Sequence, residues 1–159
     1  MYYWDDNYPD SHVFAEGECL RKTFEPDFML YHTMAVDEWG HMKGADSAEY
    51  ANAVAAVGHL IAARMPEWLE KGYQVVVTAD HGMNNLGIHV GTEYAQREVA
   101  LYIFSDKVEN GRFEENYISQ LNVAPMVCRL MGVPATEGMK QELEIALRNN
   151  YMIQNKHKK

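Results

Sequence analysis

In residues 74–83, Gln-Val-Val-Val-Thr-Ala-Asp-His-Gly-Met, three consecutive valines run directly into an acid, an imidazole and a glycine. The valines lack the polar alternation of a half-exposed strand, so they predict a strand buried on both faces, as in parallel sheets. Such sheets bind ligands beyond the carboxyl ends of their strands. We therefore expect Asp80 and His81 to lie at a functional site, although an acid that caps a strand beside a solvated histidine would give the same pair.

Hydrophobic periodicity supplies further elements on both sides of this strand. The predicted strands are 27–34, 74–79 and 98–104, and the predicted helices are 11–22, 46–72, 122–131 and 137–148. The longest helix has Asp46 as its expected N-cap and Gly72 after its end, and it would form a right-handed crossover between the first two strands. These elements predict an α/β protein, a partial three-layer α/β/α sandwich with a mainly parallel sheet. Residues 1–159 are expected to form a single domain, with 149–159 as a frayed tail.

Composition excludes several classes of protein. The chain of 159 residues is 47% hydrophobic and 23% charged, which is ordinary for a globular domain. Its net charge of −9 disfavours binding to a nucleic-acid polymer. No apolar run reaches the roughly 20 residues of a membrane span, so we expect no membrane association and a cytoplasmic location. Cys19 and Cys128 have no CxxC spacing and are expected to be reduced, buried thiols.

A second acid and imidazole pair follows the predicted strand 27–34. Asp37 and His41 are four residues apart, so either one helical turn or a compact loop would direct both at one point. His89 lies near Gly87 and Gly91, which let its backbone approach a site closely. With Asp80 and His81 these residues offer five nitrogen and oxygen ligands, too many for one tetrahedral ion. Two divalent ions, most naturally zinc, are the expected cofactors. His59, by contrast, is expected to be only structural.

Three motifs in this order resemble those of a known family. They are Asp-x-x-Gly-His at 37–41, Ala-Asp-His-Gly-Met at 79–83, and His89 followed by Gly-Thr-Glu and Arg-Glu-Val. Together they are similar to the C-terminal half of the alkaline phosphatase superfamily, within it the type I phosphodiesterase and nucleotide pyrophosphatase branch. The resemblance extends to about residue 135 and implies an alkaline-phosphatase-like catalytic domain of which this chain is the C-terminal half.

The resemblance implies a role for each motif residue. Asp37, His41 and His89 match the ligands of one zinc ion, and Asp80 and His81 match two ligands of the other. The family's remaining ligand Asp and its Thr or Ser nucleophile come from the N-terminal half, so no catalytic nucleophile is expected in this chain. None of the hydroxyls near the predicted strand ends has the setting of a nucleophile; they are Thr33, Thr78 and Thr92.

The function implied is metal-dependent hydrolysis of phosphodiester or pyrophosphate bonds in a small phosphate ester, such as a nucleotide. Three alternatives remain open. The chain could be a catalytically inactive zinc-binding fragment, another superfamily member (phosphonoacetate hydrolase, phosphomutase or sulfatase), or a scaffold whose histidines bind no metal. Because the predicted strands would leave a sheet edge exposed, we expect the chain to self-associate as a homo-oligomer or to pair with the missing N-terminal half.

Overall fold

The computed structural model describes residues 8–112 and 117–139. The chain divides into two compact units, the first formed by Met1–Pro66 with Ala79–Ala100 and the second by Glu67–Thr78 with Leu101–Lys159. That residues 1–159 form a single domain stays a prediction. The elements in chain order are α1 (Asp10–Phe24), α2 (Ala35–Lys43), α3 (Ala48–Glu70), β1 (Val75–Thr78), α4 (Tyr94–Arg97), β2 (Leu101–Phe104) and α5 (Val123–Met131).

The first unit is built around the buried face of α1. Phe14 is only 2% exposed, and its ring stacks on that of Tyr31 with centroids 5.1 Å apart. Gly17 lies beside the same ring, and a Cβ at this position would overlap Tyr31. The Arg64 guanidinium of α3 covers Phe14 from 5.0 Å above the ring centroid. These contacts join α1, the segment before α2, and α3 into one packed body.

The predicted strand 27–34 is wrong. These residues form no strand, and the sheet of the described part of the chain contains β1 and β2 alone. Phe28 is 55% exposed and Leu30 is 77% exposed, so the apolar run does not mark a doubly buried strand. An apolar run becomes a strand only when a neighbouring strand satisfies its backbone groups. The predicted crossover therefore has no first strand to start from among the described residues.

The long predicted helix is confirmed as α3, but its N-cap lies one residue later than predicted. The hydroxyl of Ser47, rather than Asp46, accepts a hydrogen bond from the Tyr50 amide at 3.1 Å. The helix ends at Glu70, and Gly72 follows its end, as predicted, with a φ of +86°. The amide of Tyr73 donates to the carbonyl of Trp68 at 3.0 Å. That bond closes a Schellman motif, for which a glycine with positive φ is the usual residue.

The sheet of the second unit differs from the predicted one in its strand pairing. The strand predicted at 74–79 is confirmed as β1, but β1 pairs with β2 in an antiparallel ladder that runs from Val75 opposite Phe104 to Thr78 opposite Leu101. The mainly parallel sheet is therefore not observed in the described residues. An antiparallel pair requires only one buried face, and β1 is accordingly half-buried.

The core of the second unit lies between this ladder and α5. Met126 and Leu130 of α5 are each 2% exposed and pack against partly buried side chains of both strands. Helix 122–131 is thus confirmed as α5, preceded by a short 3₁₀ turn. The predicted strand 98–104 begins only at residue 101, because the Glu98 amide donates to the Tyr94 carbonyl and so ends α4.

Three smaller predictions also have outcomes. Both cysteines are free thiols, as predicted, but Cys19 is exposed rather than buried. Most of the predicted helix 137–148, and all of the tail 149–159, lie outside the described residues. None of the helices in the described ranges combines the length and the apolar character that crossing a membrane requires.

Candidate functional site

Helix α2 places Asp37 and His41 on the same face. They are one helical turn apart, and the His41 Nε2 lies 3.4 Å from Asp37 Oδ2. Of the two arrangements that the spacing allowed, the helical turn is the one adopted. Gly40, the residue before His41, is buried, and a Cβ at this position would lie 2.8 Å from the Met83 Cε. The glycine of the first motif therefore lets α2 approach the methionine of the second.

The residues after β1 bring the second acid and imidazole pair to the same place. The backbone amide of His81 donates to Asp80 Oδ1 at 3.1 Å, and the His81 Nε2 lies 3.6 Å from Asp80 Oδ2. The same Nε2 is 3.8 Å from Asp37 Oδ1. Asp37 therefore lies between two imidazoles, with His41 near one carboxylate oxygen and His81 near the other.

His89 completes the cluster from the loop that follows. Its ring stacks on that of His81, with centroids 3.9 Å apart and planes inclined by 15°, and it meets His41 edge-on at 4.9 Å. One ligand atom from each of Asp37, His41 and His89 lies within 4.8 Å of the others. All five predicted site residues thus lie in one cluster within the first unit.

Hydrogen bonds to backbone carbonyls fix two of the imidazoles. His41 Nδ1 lies 2.8 Å from the Gly87 carbonyl oxygen, and His81 Nδ1 lies 3.1 Å from that of Gly82. A carbonyl oxygen can only accept, so in each ring Nδ1 carries the hydrogen and donates it. In the neutral form of each ring, Nε2 then presents a lone pair. This is the usual arrangement of histidine ligands to a metal ion.

Acceptors consequently face one another around Asp37. Its Oδ1 is buried and has no hydrogen-bond partner among the described residues, and the two nearest imidazole nitrogens are acceptors in their neutral forms. An acceptor that is buried without a donor costs about 1–3 kcal/mol. Divalent cations would satisfy these groups, because carboxylate oxygen and neutral imidazole nitrogen are both suitable ligands for them. The donor set therefore fits a metal ion.

The charge of Asp37 also acts on a neighbouring phenol. Burial, and after it the negative charge of Asp37, raises the pKa of Tyr50 above its ordinary value of 10.0. Tyr50 therefore stays a neutral hydroxyl through the physiological range. Its ring lies close to Gly40, where an added Cβ would be 3.2 Å from the Tyr50 Cε2.

Comparison with known sequences assigns the chain to a family. The family model of type I phosphodiesterase / nucleotide pyrophosphatase matches residues 5–129. The chain belongs to this family. The match covers all five residues of the cluster and confirms the resemblance found in their motifs. The α/β character of the described elements is consistent with an alkaline-phosphatase-like domain.

Curated relatives of this type I phosphodiesterase family chain are transferases by name. The chain is 29% identical over 117 residues to the human GPI ethanolamine phosphate transferase 3, catalytic subunit, a match that covers 72% of this chain and 11% of that protein. It is 26% identical over 132 residues to GPI ethanolamine phosphate transferase 3 of Saccharomyces cerevisiae, which covers 72% of this chain and 12% of the relative. The chain therefore corresponds to about a ninth of the length of these relatives. No solved structure matches it.

The pair Asp80 and His81 has an additional neighbour that the sequence did not single out. His32 Nε2 lies 4.0 Å from Asp80 Oδ2, and both side chains are more than half exposed. The position of His32, five residues before the first motif, was the only available signal. Helix α4 was also missed, although Glu93 and Gln96 have the spacing of a capping box.

Proposed function

We propose that this chain supplies the metal ligands of a site that cleaves or transfers phosphodiester or pyrophosphate bonds, with two divalent ions, most naturally zinc, as cofactors. The observation that carries the proposal is the buried Oδ1 of Asp37, which has no hydrogen-bond partner among the described residues. The two imidazoles beside Asp37 donate their Nδ1 hydrogens to backbone carbonyls, so that each Nε2 is turned towards the carboxylate. A buried acceptor without a donor is unfavourable in a purely structural role.

The residues divide into two ligand sets. Asp37, His41 and His89 would hold one ion, since their ligand atoms converge. Asp80 and His81 would contribute to the other and would need further ligands. When bound, the ions neutralise charge on the phosphoryl oxygens. The carbonyls of Gly82 and Gly87 hold the Nδ1 hydrogens, which keeps the Nε2 lone pairs directed at the site.

The names of the family and of its relatives favour two related reactions. Type I phosphodiesterases and nucleotide pyrophosphatases cleave the phosphate ester with water as the acceptor, whereas the curated relatives are named for transfer of ethanolamine phosphate. Both reactions act on a small phosphate ester, and both can use the same metal ligands. Of the two reactions we favour transfer of an alkyl phosphate. The eight curated matches are all named as transferases, and they align with 56–82% of this chain.

The direct test is elemental analysis of the chain purified without chelator, beside His89→Ala and His59→Ala. His59 is an exposed histidine of α3 and serves as the matched control. We expect about one zinc per chain in the wild type and in His59→Ala, because Asp80 and His81 need further ligands, and we expect its loss in His89→Ala. Zinc retained by His89→Ala, or absent from the wild type, would contradict the proposal.

Activity is then measured on the zinc-loaded chain with bis(4-nitrophenyl) phosphate, with and without an added alcohol acceptor. Zinc binding together with ester binding and no turnover would identify the inactive metal-binding alternative. Both reactions release one nitrophenol per turnover, so the phosphate product distinguishes them. Formation of an alkyl 4-nitrophenyl phosphate when the alcohol is added would support transfer, whereas 4-nitrophenyl phosphate as the sole product at every alcohol concentration would support hydrolysis.

A further inference from the structure

The loop that carries His89 is ordered by buried polar side chains that are not themselves ligands of the proposed ions. Residues 82–93 contain no helix or strand, yet Asn84 is only 8% exposed. Gln96, in the short helix α4 that follows, is only 5% exposed. Buried amides of this kind must be hydrogen-bonded at both ends. Their partners show what they hold in place.

Asn84 makes three side-chain hydrogen bonds within the loop. Its Oδ1 accepts from the amides of Leu86 at 3.0 Å and Ile88 at 2.9 Å. Its Nδ2 donates to Glu93 Oε2 at 3.0 Å. The backbone of Asn84 adds a further bond, because its amide donates to the Ile88 carbonyl at 3.1 Å. The chain immediately before His89 is thereby fixed on one side.

Gln96 fixes the same loop from the other side. Its Nε2 lies 3.3 Å from the carbonyl oxygens of Ile88 and Val90, the residues that flank His89, and donates to both. Its Oε1 accepts from the Glu93 amide at 3.1 Å. Its backbone carbonyl accepts from the Gly82 amide at 2.9 Å, directly after His81. One residue therefore links the backbones that carry two of the three clustered imidazoles.

We propose that Asn84, Glu93 and Gln96, which we call the polar frame, are positioning residues that hold His89 against His81 and so set the metal affinity of the Asp37, His41 and His89 site. This inference rests on the proposed function for its metal. Without the frame, His89 would be carried by a loop with no ladder or helix to restrain it. A loop without the frame would lose conformational entropy when the metal binds, and this loss would lower the metal affinity.

Isosteric acid substitutions remove the amide donors and add a negative charge, with little change of shape. Asn84→Asp brings a carboxylate opposite Glu93, and Gln96→Glu brings one opposite two carbonyl oxygens. The matched control is Asn85→Asp, which adds the same charge at the next residue, an exposed position. The double variant Glu93→Gln with Asn84→Asp restores this hydrogen bond in the reverse direction, with the amide at position 93 donating to the carboxylate at position 84. It therefore tests whether the bond itself restores the lost affinity.

Zinc affinity, measured by competition with a chromophoric chelator, is the first readout. We expect Asn84→Asp and Gln96→Glu each to weaken binding roughly 10- to 100-fold, the usual effect of disturbing the partners of a ligand. Asn85→Asp should change it less than about threefold, as an exposed charge does, and the reversed pair should recover most of the loss.

The histidine ring signals in the carbon–proton NMR spectrum of the zinc-free chain are the second readout. Stacking at 3.9 Å places His89 in the ring current of His81. Asn84→Asp and Gln96→Glu should move the His89 signal toward its free-peptide position, and Asn85→Asp should leave it in place. If both frame variants keep the wild-type signal, or match the control in zinc affinity, the inference is overturned. A wild type that binds no zinc defeats the proposed function alone, since the ring signal still decides whether the frame positions His89.

Discussion

Replacing Asp37 by asparagine should change stability in opposite directions with and without zinc. In the zinc-free chain the buried Oδ1 has no donor among the described residues and lies 3.8 Å from His81 Nε2, while Oδ2 lies 3.4 Å from His41 Nε2. An amide of the same shape removes the charge and offers a donor to one of those nitrogens. An unsatisfied buried acceptor costs about 1–3 kcal/mol. Because Asp37 is partly exposed, we expect Asp37→Asn to leave the free energy of unfolding unchanged or to raise it by up to about 1 kcal/mol.

With zinc the order should reverse. A ligand at 100 times its dissociation constant stabilises the folded state by about 2.7 kcal/mol. For a domain of this size, roughly 2–4 °C of melting temperature accompanies each kcal/mol, which gives the wild type a rise of about 5–11 °C. The variant has lost the one charged ligand of its site and should show little of this rise.

Thermal unfolding followed by circular dichroism, with chelator and with zinc, measures both effects. Asp27→Asn, which removes an exposed carboxylate of the same unit, is the control and should behave as the wild type does. The reasoning is refuted if Asp37→Asn lowers the melting temperature in chelator by more than a few degrees, or if it keeps the zinc-dependent rise. The first result would show that the carboxylate stabilises the fold, and the second that it binds no metal.

Two further changes test the close approach of α2 and the charge at the site. Gly87→Ala should lower the free energy of unfolding by about 1–3 kcal/mol, because φ at Gly87 is +73° and a Cβ would lie 2.6 Å from a backbone oxygen of α2. Gly58→Ala, in a helix with open space around it, should instead stabilise by about 0.5–1 kcal/mol, and equal urea midpoints for the two would contradict this. The raised pKa of Tyr50 means that the folded state retains the phenolic proton more strongly than the unfolded state. Stability should therefore fall as the pH rises above about 10. Tyr50→Phe should lose less over that range, as alkaline denaturation curves will show.

The meeting of the two acid and imidazole pairs in one cluster was predictable because each pair has a local signal. An acid and an imidazole four residues apart can meet on any helical turn, and Asp37 and His41 do so on α2. An acid and an imidazole directly after an apolar strand mark its end, and Asp80 and His81 follow β1 there. Neither inference required knowledge of how distant parts of the chain pack.

The sheet was less predictable because strand pairing is a long-range property. The valines of β1 indicated a strand correctly, but nothing in them distinguishes a parallel partner from the antiparallel β2 that the structure shows. The apolar run from Phe28 to Met34 has the composition of a strand and no strand beside it in the described residues. The polar frame was missed for a similar reason. Asn84 resembles an exposed loop residue until its partners are known.

The sequence separations of the contacts around His89 bear on the order in which the cluster assembles. The side-chain bonds of the polar frame join residues at most 9 apart, whereas the bond from His41 to the Gly87 carbonyl spans 46. Closing the longer loop costs about 1.4 kcal/mol more in chain entropy, from the logarithmic dependence on loop length. Contacts between near neighbours also form earliest in folding. The His89 loop should therefore be structured before α2 docks on it, so that the arrival of Asp37 and His41 is the last step in assembling the cluster.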